Sequence, residues 1–350
     1  AVGNDALELI RRSPSAMVDK DDNISLAGKN GVQVYIDGKP SPLSGSDLAN
    51  YLKSMQSSQI EAIEIITNPS AKYEAAGNAG IINIKLKKNK SFGTNGSVNA
   101  GYTQGVYAKG TAGINLNHRN KNINVFGNYN YNKGNYLMKM NSERTQFDTL
   151  FTQKNEILFR NNTHGFKAGM DYFIDKTKTI GAVVNGNLAD NDLNTAGPMY
   201  FIYKPTGVTD RILKATNHND MKRDNVNANL NYRYAKTGGA ELNIDADYGF
   251  FKIRSDQFQP NYYYLANGTT EISRAIYNMI APTDINLYSV KTDYETNYKG
   301  GRLGVGAKIG VVDSDNDFRR YDVFNSGKVL DTLKSNRFKY KENINALYVN

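Results

Sequence analysis

Asn225-Val226-Asn227-Ala228-Asn229-Leu230-Asn231-Tyr232-Arg233-Tyr234 alternates without a break: each even position is apolar or aromatic, each odd one an amide or a cation. Successive side chains of a strand point to opposite faces, so the segment reads as a strand with one apolar and one polar side. The same period of two recurs outward in both directions. It runs through Val98, Ala100 and Tyr102; Ala112, Ile114 and Leu116; Ile123, Val125, Tyr129 and Tyr131; and Phe166, Ala168, Met170 and Tyr172. It returns at Ile180, Ala182 and Val184, at Leu242 to Phe250, at Val290, Thr292 and Tyr294, at Leu303 to Val311, and at Ile344, Ala346 and Tyr348. Strands of this length exceed the usual five or six residues of soluble sheets.

The connections say what kind of sheet this is. Short turns fall at Arg119-Asn120-Lys121, Asp175-Lys176-Thr177, Thr237-Gly238-Gly239 and Lys299-Gly300-Gly301. Between them lie long polar segments, 133–155, 190–221, 255–284 and 313–336, which read as loops. Short turns alternating with long loops mark a transmembrane barrel with tight periplasmic and long extracellular connections. Tyrosines placed towards strand ends, such as Tyr129 with Tyr131 and Tyr232 with Tyr234, suit its interfacial girdles.

Composition is compatible with that reading. Mean hydropathy is −0.58, and no stretch approaches the ~20 apolar residues of a membrane-spanning helix. Barrel strands dilute the hydropathy signal because every second residue faces a polar lumen. The chain has no Cys, which removes disulfides, thiol catalysis and thiolate metal sites. Its net charge of +9 is scattered through turns and strand ends, so nucleic acid is not an expected partner.

Residues 1–90 follow a different regime, expected as a small α/β domain ahead of a barrel portion at 91–350. Ala6, Leu7, Leu9 and Ile10 suit one face of a short helix stopped by Ser13-Pro14. Val32 to Ile36 reads as a strand running into an Asp37-Gly38 turn. Ser46 is placed to cap a helix through Met55, with Leu48, Tyr51, Leu52 and Met55 on one face. Ile60 to Ile66 and Gly80 to Lys87 read as two more strands.

Within this unit Val34-Tyr35-Ile36-Asp37-Gly38-Lys39-Pro40 resembles the strand and turn of TonB-dependent receptor plugs. Ile63 to Tyr73, followed by Gly77 to Ile84, is similar to the two-part signature of the same plugs. Asp37, Gly38, Asn68, Pro69, Tyr73, Gly77, Gly80 and Asn83 stand at its marked positions, and Asn68-Pro69 departs from the Arg or Gly usual before that proline. The likeness is nearest to the outer-membrane β-barrel family of Bacteroidetes-type bacteria. It implies a plug inside a transmembrane antiparallel β-barrel of about 22 strands, roughly ten of them in this chain, in the bacterial outer membrane. Read residue by residue, the motifs need do no more than fold the plug.

The role the resemblance implies is import of an unidentified large ligand, a glycan, peptide or chelate, driven by TonB through a segment this chain does not contain. Implied partners are outer-membrane lipid and lipopolysaccharide, the ligand, and other outer-membrane or surface lipoprotein subunits. A second reading is a plugged barrel that serves as scaffold or accessory subunit of a surface or secretion complex. A third, a soluble secreted β-sandwich adhesin, predicts shorter strands and no aromatic bands. Both ends are expected to be cuts: no initiator Met or signal peptide stands at Ala1, and no TonB-binding segment precedes Ala6. A barrel of about eight strands is filled by its own side chains, so ten strands with a plug are expected as an open wall, its edges near Val98 and Tyr348.

Enzyme chemistry and cofactors are not expected. His118, His164 and His218 fall in separate hairpins without zinc-ligand spacing. Asp313, Asp315 and Asp317 open like a calcium loop, but Phe318 and Phe324 replace the required Gly and Glu, which leaves them weak metal candidates. Tyr262, Tyr263 and Tyr264 are expected in a ligand-facing loop. Asp148-Thr149-Leu150 and Asp331-Thr332-Leu333 resemble the tripeptide that Bacteroidetes-type bacteria O-glycosylate in exported proteins, which marks Thr149 and Thr332 as acceptors.

Overall fold

Apolar spacing in the first ninety residues builds a small α/β unit in the computed structural model, which describes residues 4–19, 22–36, 39–41, 45–55, 57–67, 80–87 and 92–349. Helix α1 (Ala6–Arg11) is capped by Asp5, whose carboxylate accepts from the Glu8 amide at 2.8 Å. Strands β1 (Ala16–Val18) and β2 (Ile24–Leu26) form a hairpin. Then come β3 (Gln33–Ile36), β4 (Lys39–Pro40), α2 (Gly45–Ser54), β5 (Ile60–Ile66) and β6 (Ile81–Leu86). The sheet order is β4-β3-β6-β5, with β3 and β6 parallel. Leu7, Ile10, Leu26, Leu52, Ile82 and Ile84 are almost wholly buried in one core. Helix α2 begins at Gly45, so Ser46 lies inside the helix rather than ahead of it.

Two residues of the plug-like signature show why they are what they are. Gly80 has φ +104°, and a Cβ there would stand 2.8 Å from the Ile66 carbonyl oxygen, so only glycine fits the close approach of β6 to the end of β5. Asn83 is buried on β6 and donates from Nδ2 to Glu64 Oε2 at 2.9 Å. Asp37, Gly38, Asn68, Pro69, Tyr73 and Gly77 lie outside the described residues.

The remainder is one antiparallel sheet. It comprises β7 (Gly93–Gln104), β8 (Ala108–Arg119), β9 (Ile123–Gln146), β10 (Thr149–Phe173), β11 (Lys178–Tyr203) and β12 (Val208–Ala235). It continues with β13 (Glu241–Leu265), β14 (Glu271–Ile280), β15 (Thr283–Tyr298), β16 (Gly301–Phe324), β17 (Gly327–Leu330) and β18 (Asn336–Val349). Of these 12 strands, β14 and β17 are short arms at one end, and the other ten form the wall. Among the described residues β7 and β18 do not pair with each other, so the wall is open.

The segments read as loops are strands. Strands β9 to β13 and β16 run for 24 to 28 residues, and their hairpins turn only at the tips, as at Phe147-Asp148. Asp190 pairs with Lys222, Leu193 with Asn219 and Thr195 with Asn217, deep inside the span expected to be irregular. The cause is physical: once a hairpin root is set, each further residue continues the ladder with no long loop to close. Alternation of hydropathy fades there because both faces of the extension are polar, and hydropathy was the only strand signal.

Alternation sets two faces of opposite chemistry. Val98, Ile114, Tyr129 and Phe166 lie in one cross-strand row, and Met170, Ala182, Leu230, Ala246, Val290 and Ile309 in another. Leu230 is 63% exposed, and apolar surface this contiguous belongs against lipid. Tyr288 and Tyr298 bracket it on β15; ten residues at about 3.3 Å each, tilted by about 40°, span about 25 Å, the height of a barrel's apolar band. One register departs from expectation. On β18 Leu347 pairs with Ala307 and Val349 with Val305, so these face lipid, and Ile344, Ala346 and Tyr348 face inward. Apolar residues on both sides of that short segment make its period ambiguous, and the partner strand decides.

Candidate ligand-binding wall

The inner face opposite the lipid band is an amide surface. One row carries Asn99, Gly113, Asn130, Gly165, Asn187 and Asn225 across six strands. Asparagine lies flat here because glycine sits beside it: a Cβ on Gly113 would fall 2.6 Å from Asn99 Oδ1 and 2.7 Å from Asn130 Oδ1. Towards the short-turn end the amides join charges. Asn229 Nδ2 donates to Asp247 Oδ1 at 2.8 Å and Asp245 Oδ1 at 3.2 Å, and Asn124 Nδ2 donates to Asp171 Oδ2 at 3.0 Å. Asn130 Oδ1 and Asn187 Nδ2 are buried without a partner, which in a lumen calls for water or a polar ligand.

Far above the lipid band the same face changes character. Arg144, Phe151, Phe201 and Arg211 form one row across the tips of β9 to β12. The two phenyl rings meet edge to face at 5.0 Å, and the guanidinium groups cover them at 4.7 and 5.7 Å. Beside this row a recess of about 620 Å³ is lined by Thr149, Tyr203, Thr206 and Asp210 with Phe151, Phe201 and Arg211. A larger recess of about 720 Å³ is floored by Ala168, Ala182, Ala228 and Ala246 on the lipid side. Its apolar lining on the lipid face suits acyl chains rather than a polar ligand.

The candidates read from sequence fall in several places. Tyr262, Tyr263 and Tyr264 are strand residues of β13 that pair with β12 and do not form a loop. Tyr262 and Tyr264 turn outward, beneath Arg274 at 5.6 Å and Lys214 at 4.7 Å, while Tyr263 alternates inward. Thr149 begins β10 at the recess, and Thr332 stands exposed in the turn between β17 and β18, beside the fully exposed Leu333. Asp313, Asp315 and Asp317 are strand residues facing Lys341, Lys339 and Arg337 of β18. Arg337 grips both oxygens of Asp315 at 2.9 and 2.6 Å and holds its carboxyl down to about 2. Arg319 likewise lowers Asp317. These carboxylates are answered by fixed cations rather than gathered around a common centre.

A long antiparallel wall with a lipid band, an amide lumen face and extended exterior hairpins is the signature of one class of membrane protein. Residues 233–350 match the outer membrane protein beta-barrel family. Residues 93–349 form an antiparallel wall of the outer-membrane β-barrel kind, placed in the bacterial outer membrane. The family match begins in β12 and takes in every strand after it. No curated protein matches the chain. Among solved structures it is similar to the siderophore receptor PiuA from Acinetobacter baumannii, at 12% identity over 99% of this chain and 59% of that one, TM-score 0.48. It is similar to the ferric yersiniabactin uptake receptor FyuA from Yersinia pestis, at 12% identity, 99% and 59% coverage, TM-score 0.45. The chain spans under two thirds of the length of these receptors. Scores below 0.5 add nothing to the fold, which rests on the ladders and the family match.

Proposed function

We propose that the chain is the plug (1–90) and the first ten wall strands (91–350) of a TonB-dependent receptor, of the Bacteroidetes type, that imports a large ligand. The observation that carries this reading is the pairing of a long-stranded wall whose described edges β7 and β18 do not meet with a separately cored α/β unit bearing the Gly80 and Asn83 signature. A lumen wide enough for such a unit leaks unless it is plugged, and a plug that blocks leakage has to be moved by work done from outside. The amide face suits this. Along the Asn and Gly row of its middle, uncharged side chains neither trap a moving domain nor repel a glycan, peptide or chelate. At the crest Phe151 and Phe201 offer ring faces and Arg144 and Arg211 offer cations, so ligands with rings and anionic or hydroxyl groups fit best. Thr332, on its exposed turn, is the better of the two proposed glycosylation acceptors.

The test uses the full-length protein in planar bilayers and in binding to the periplasmic domain of TonB. Intact protein is expected to be silent electrically and to bind that domain, and deletion of residues 4–87 is expected to open large conductances. A closed bilayer after the deletion contradicts the plug. Conductance with no TonB binding contradicts import and supports the scaffold reading.

A further inference from the structure

The three histidines of the chain have different company. His118 sits 2.8 Å from Thr94 Oγ1. His164 sits 2.6 Å from the Tyr129 hydroxyl. His218, on β12, stands among carboxylates: its Nε2 is 3.3 Å from Asp220 Oδ1 and its Nδ1 is 3.9 Å from Asp192 Oδ1. Asp192 lies directly opposite Asp220 in the β11–β12 ladder, and Asn194 lies opposite His218. The four side chains therefore share the outward face of one hairpin.

The neighbours fix the tautomer of the ring. Asn194 Nδ2 donates to Asp192 Oδ1, so its Oδ1, 2.8 Å from His218 Nδ1, is the acceptor and Nδ1 carries the proton. Nε2, the ring nitrogen left free by that bond, faces the Asp220 carboxylate oxygen at 3.3 Å. A metal-bound imidazole is oriented in just this way, by a hydrogen bond from its other nitrogen.

Charge in the ladder adds a second, separate observation. Arg160, Asp192, Asp220 and Asp256 form one cross-strand row, three carboxylates to one cation. Like charges directly opposite each other in a sheet are destabilising. Arg160 answers Asp192 at 3.1 Å and Asn278 donates to Asp256 at 2.6 Å, while among the described residues Asp220 is met by the histidine.

We propose that His218, Asp220 and Asp192 form a divalent-metal site for a borderline ion such as Zn²⁺, closing β11 against β12 above the lipid band. Their ligand atoms lie within 4.8 Å of one another. A tetrahedral ion with bonds of about 2.1 Å needs them about 3.4 Å apart, a closure that takes rotation of both the His218 and the Asp220 side chains. One imidazole and two carboxylates leave a position for water, and the imidazole favours Zn²⁺, Cu²⁺ or Ni²⁺ over Ca²⁺ and Mg²⁺. Asp192 lies two outward positions beyond Leu188, the last outward apolar residue of β11 before the charged row, so the ion sits where the wall leaves the membrane.

The experiment is calorimetric titration of Zn²⁺ into the full-length protein in detergent micelles, purified without a histidine tag and stripped with chelator. Co²⁺ serves as a second probe through its visible ligand-field absorption. One ion per chain is expected, not displaced by millimolar Ca²⁺. His218→Ala and Asp220→Asn should each weaken binding by about tenfold or more, while His164→Ala should leave it unchanged and controls for general loss of histidine. Absence of Zn²⁺ binding to the unmodified protein overturns the site. So does a His218→Ala protein that binds as tightly, or a correctly folded Asp220→Asn protein with an unaltered Co²⁺ spectrum.

Discussion

The lower and upper halves of the same strands share a ladder and almost nothing else. On the outward face of β12, Val226, Ala228 and Leu230 give way upward to Asp224, Lys222 and Asp220, although the pairing with β11 runs on in unbroken register. Below, one face meets hydrocarbon and the other a wet lumen, so hydropathy alternates. Above, water reaches both faces and alternation has no work to do. Backbone pairing builds the sheet, and the surroundings alone decide which side chains decorate it.

That contrast is broken or upheld first by placing one charge in each half. Leu230→Arg should cost about 2–4 kcal/mol of membrane-folded stability if Leu230 lies near the midplane, and Thr216→Arg, on the same face of the extension, should cost less than about 0.5 kcal/mol. Urea titration of protein folded into lipid bilayers measures both. Equal costs would erase the boundary between the halves. On the inner face, Gly113→Leu should cost about 1–3 kcal/mol through overpacking, because Asn99 and Asn130 already occupy the space a side chain needs. A cost near zero in the same titration would mean that the amide row is loose.

Within the upper half, a double-mutant cycle between Phe151 and Phe201 should return a coupling of about 0.5–1.5 kcal/mol. No coupling would mean that the crest aromatics do not meet. The smallest effect belongs to Asp315. Its folded-state value, lowered to about 2 by the Arg337 hydrogen bonds, means the pair contributes fully above the ordinary carboxylate range and is lost as pH falls through about 2. Solvent access to the pair and salt keep that contribution small. In Arg337→Gln the Asp315 midpoint, read by NMR, should climb back towards the ordinary value; an unmoved midpoint would remove the cross-strand pair.

What the sequence makes legible follows the same division. Strands with one face in lipid announce themselves, which is why the outward register around Leu230 and Ile244, the inward Asn227, Asn229 and Asn231, and the open wall are readable in advance. The extensions are not, because a strand solvated on both faces has the composition of a loop; Tyr262 to Tyr264 read as a tip and stand in a ladder. The inner row was half visible. Asparagine on the odd positions of β12 marks a polar face, but the glycines that let it lie flat come from neighbouring strands. His218 has only Asp220 nearby in sequence to mark it, since its other carboxylate, Asp192, lies 26 residues away and only the β11–β12 register brings them together.

Strand β12 runs as a single strand from lipid to exterior. Nitroxide labels at each position from Thr216 to Tyr234, in the full-length protein folded into bilayers, test it most directly. From Val226 to Tyr234 the even positions should be accessible to oxygen and the odd ones to a water-soluble nickel chelate, with a period of two. From Thr216 to Asp224 oxygen preference should vanish while the spectra stay as ordered as those below. Rapid isotropic motion in the upper stretch, or oxygen access at Asn227, Asn229 and Asn231, would contradict the account.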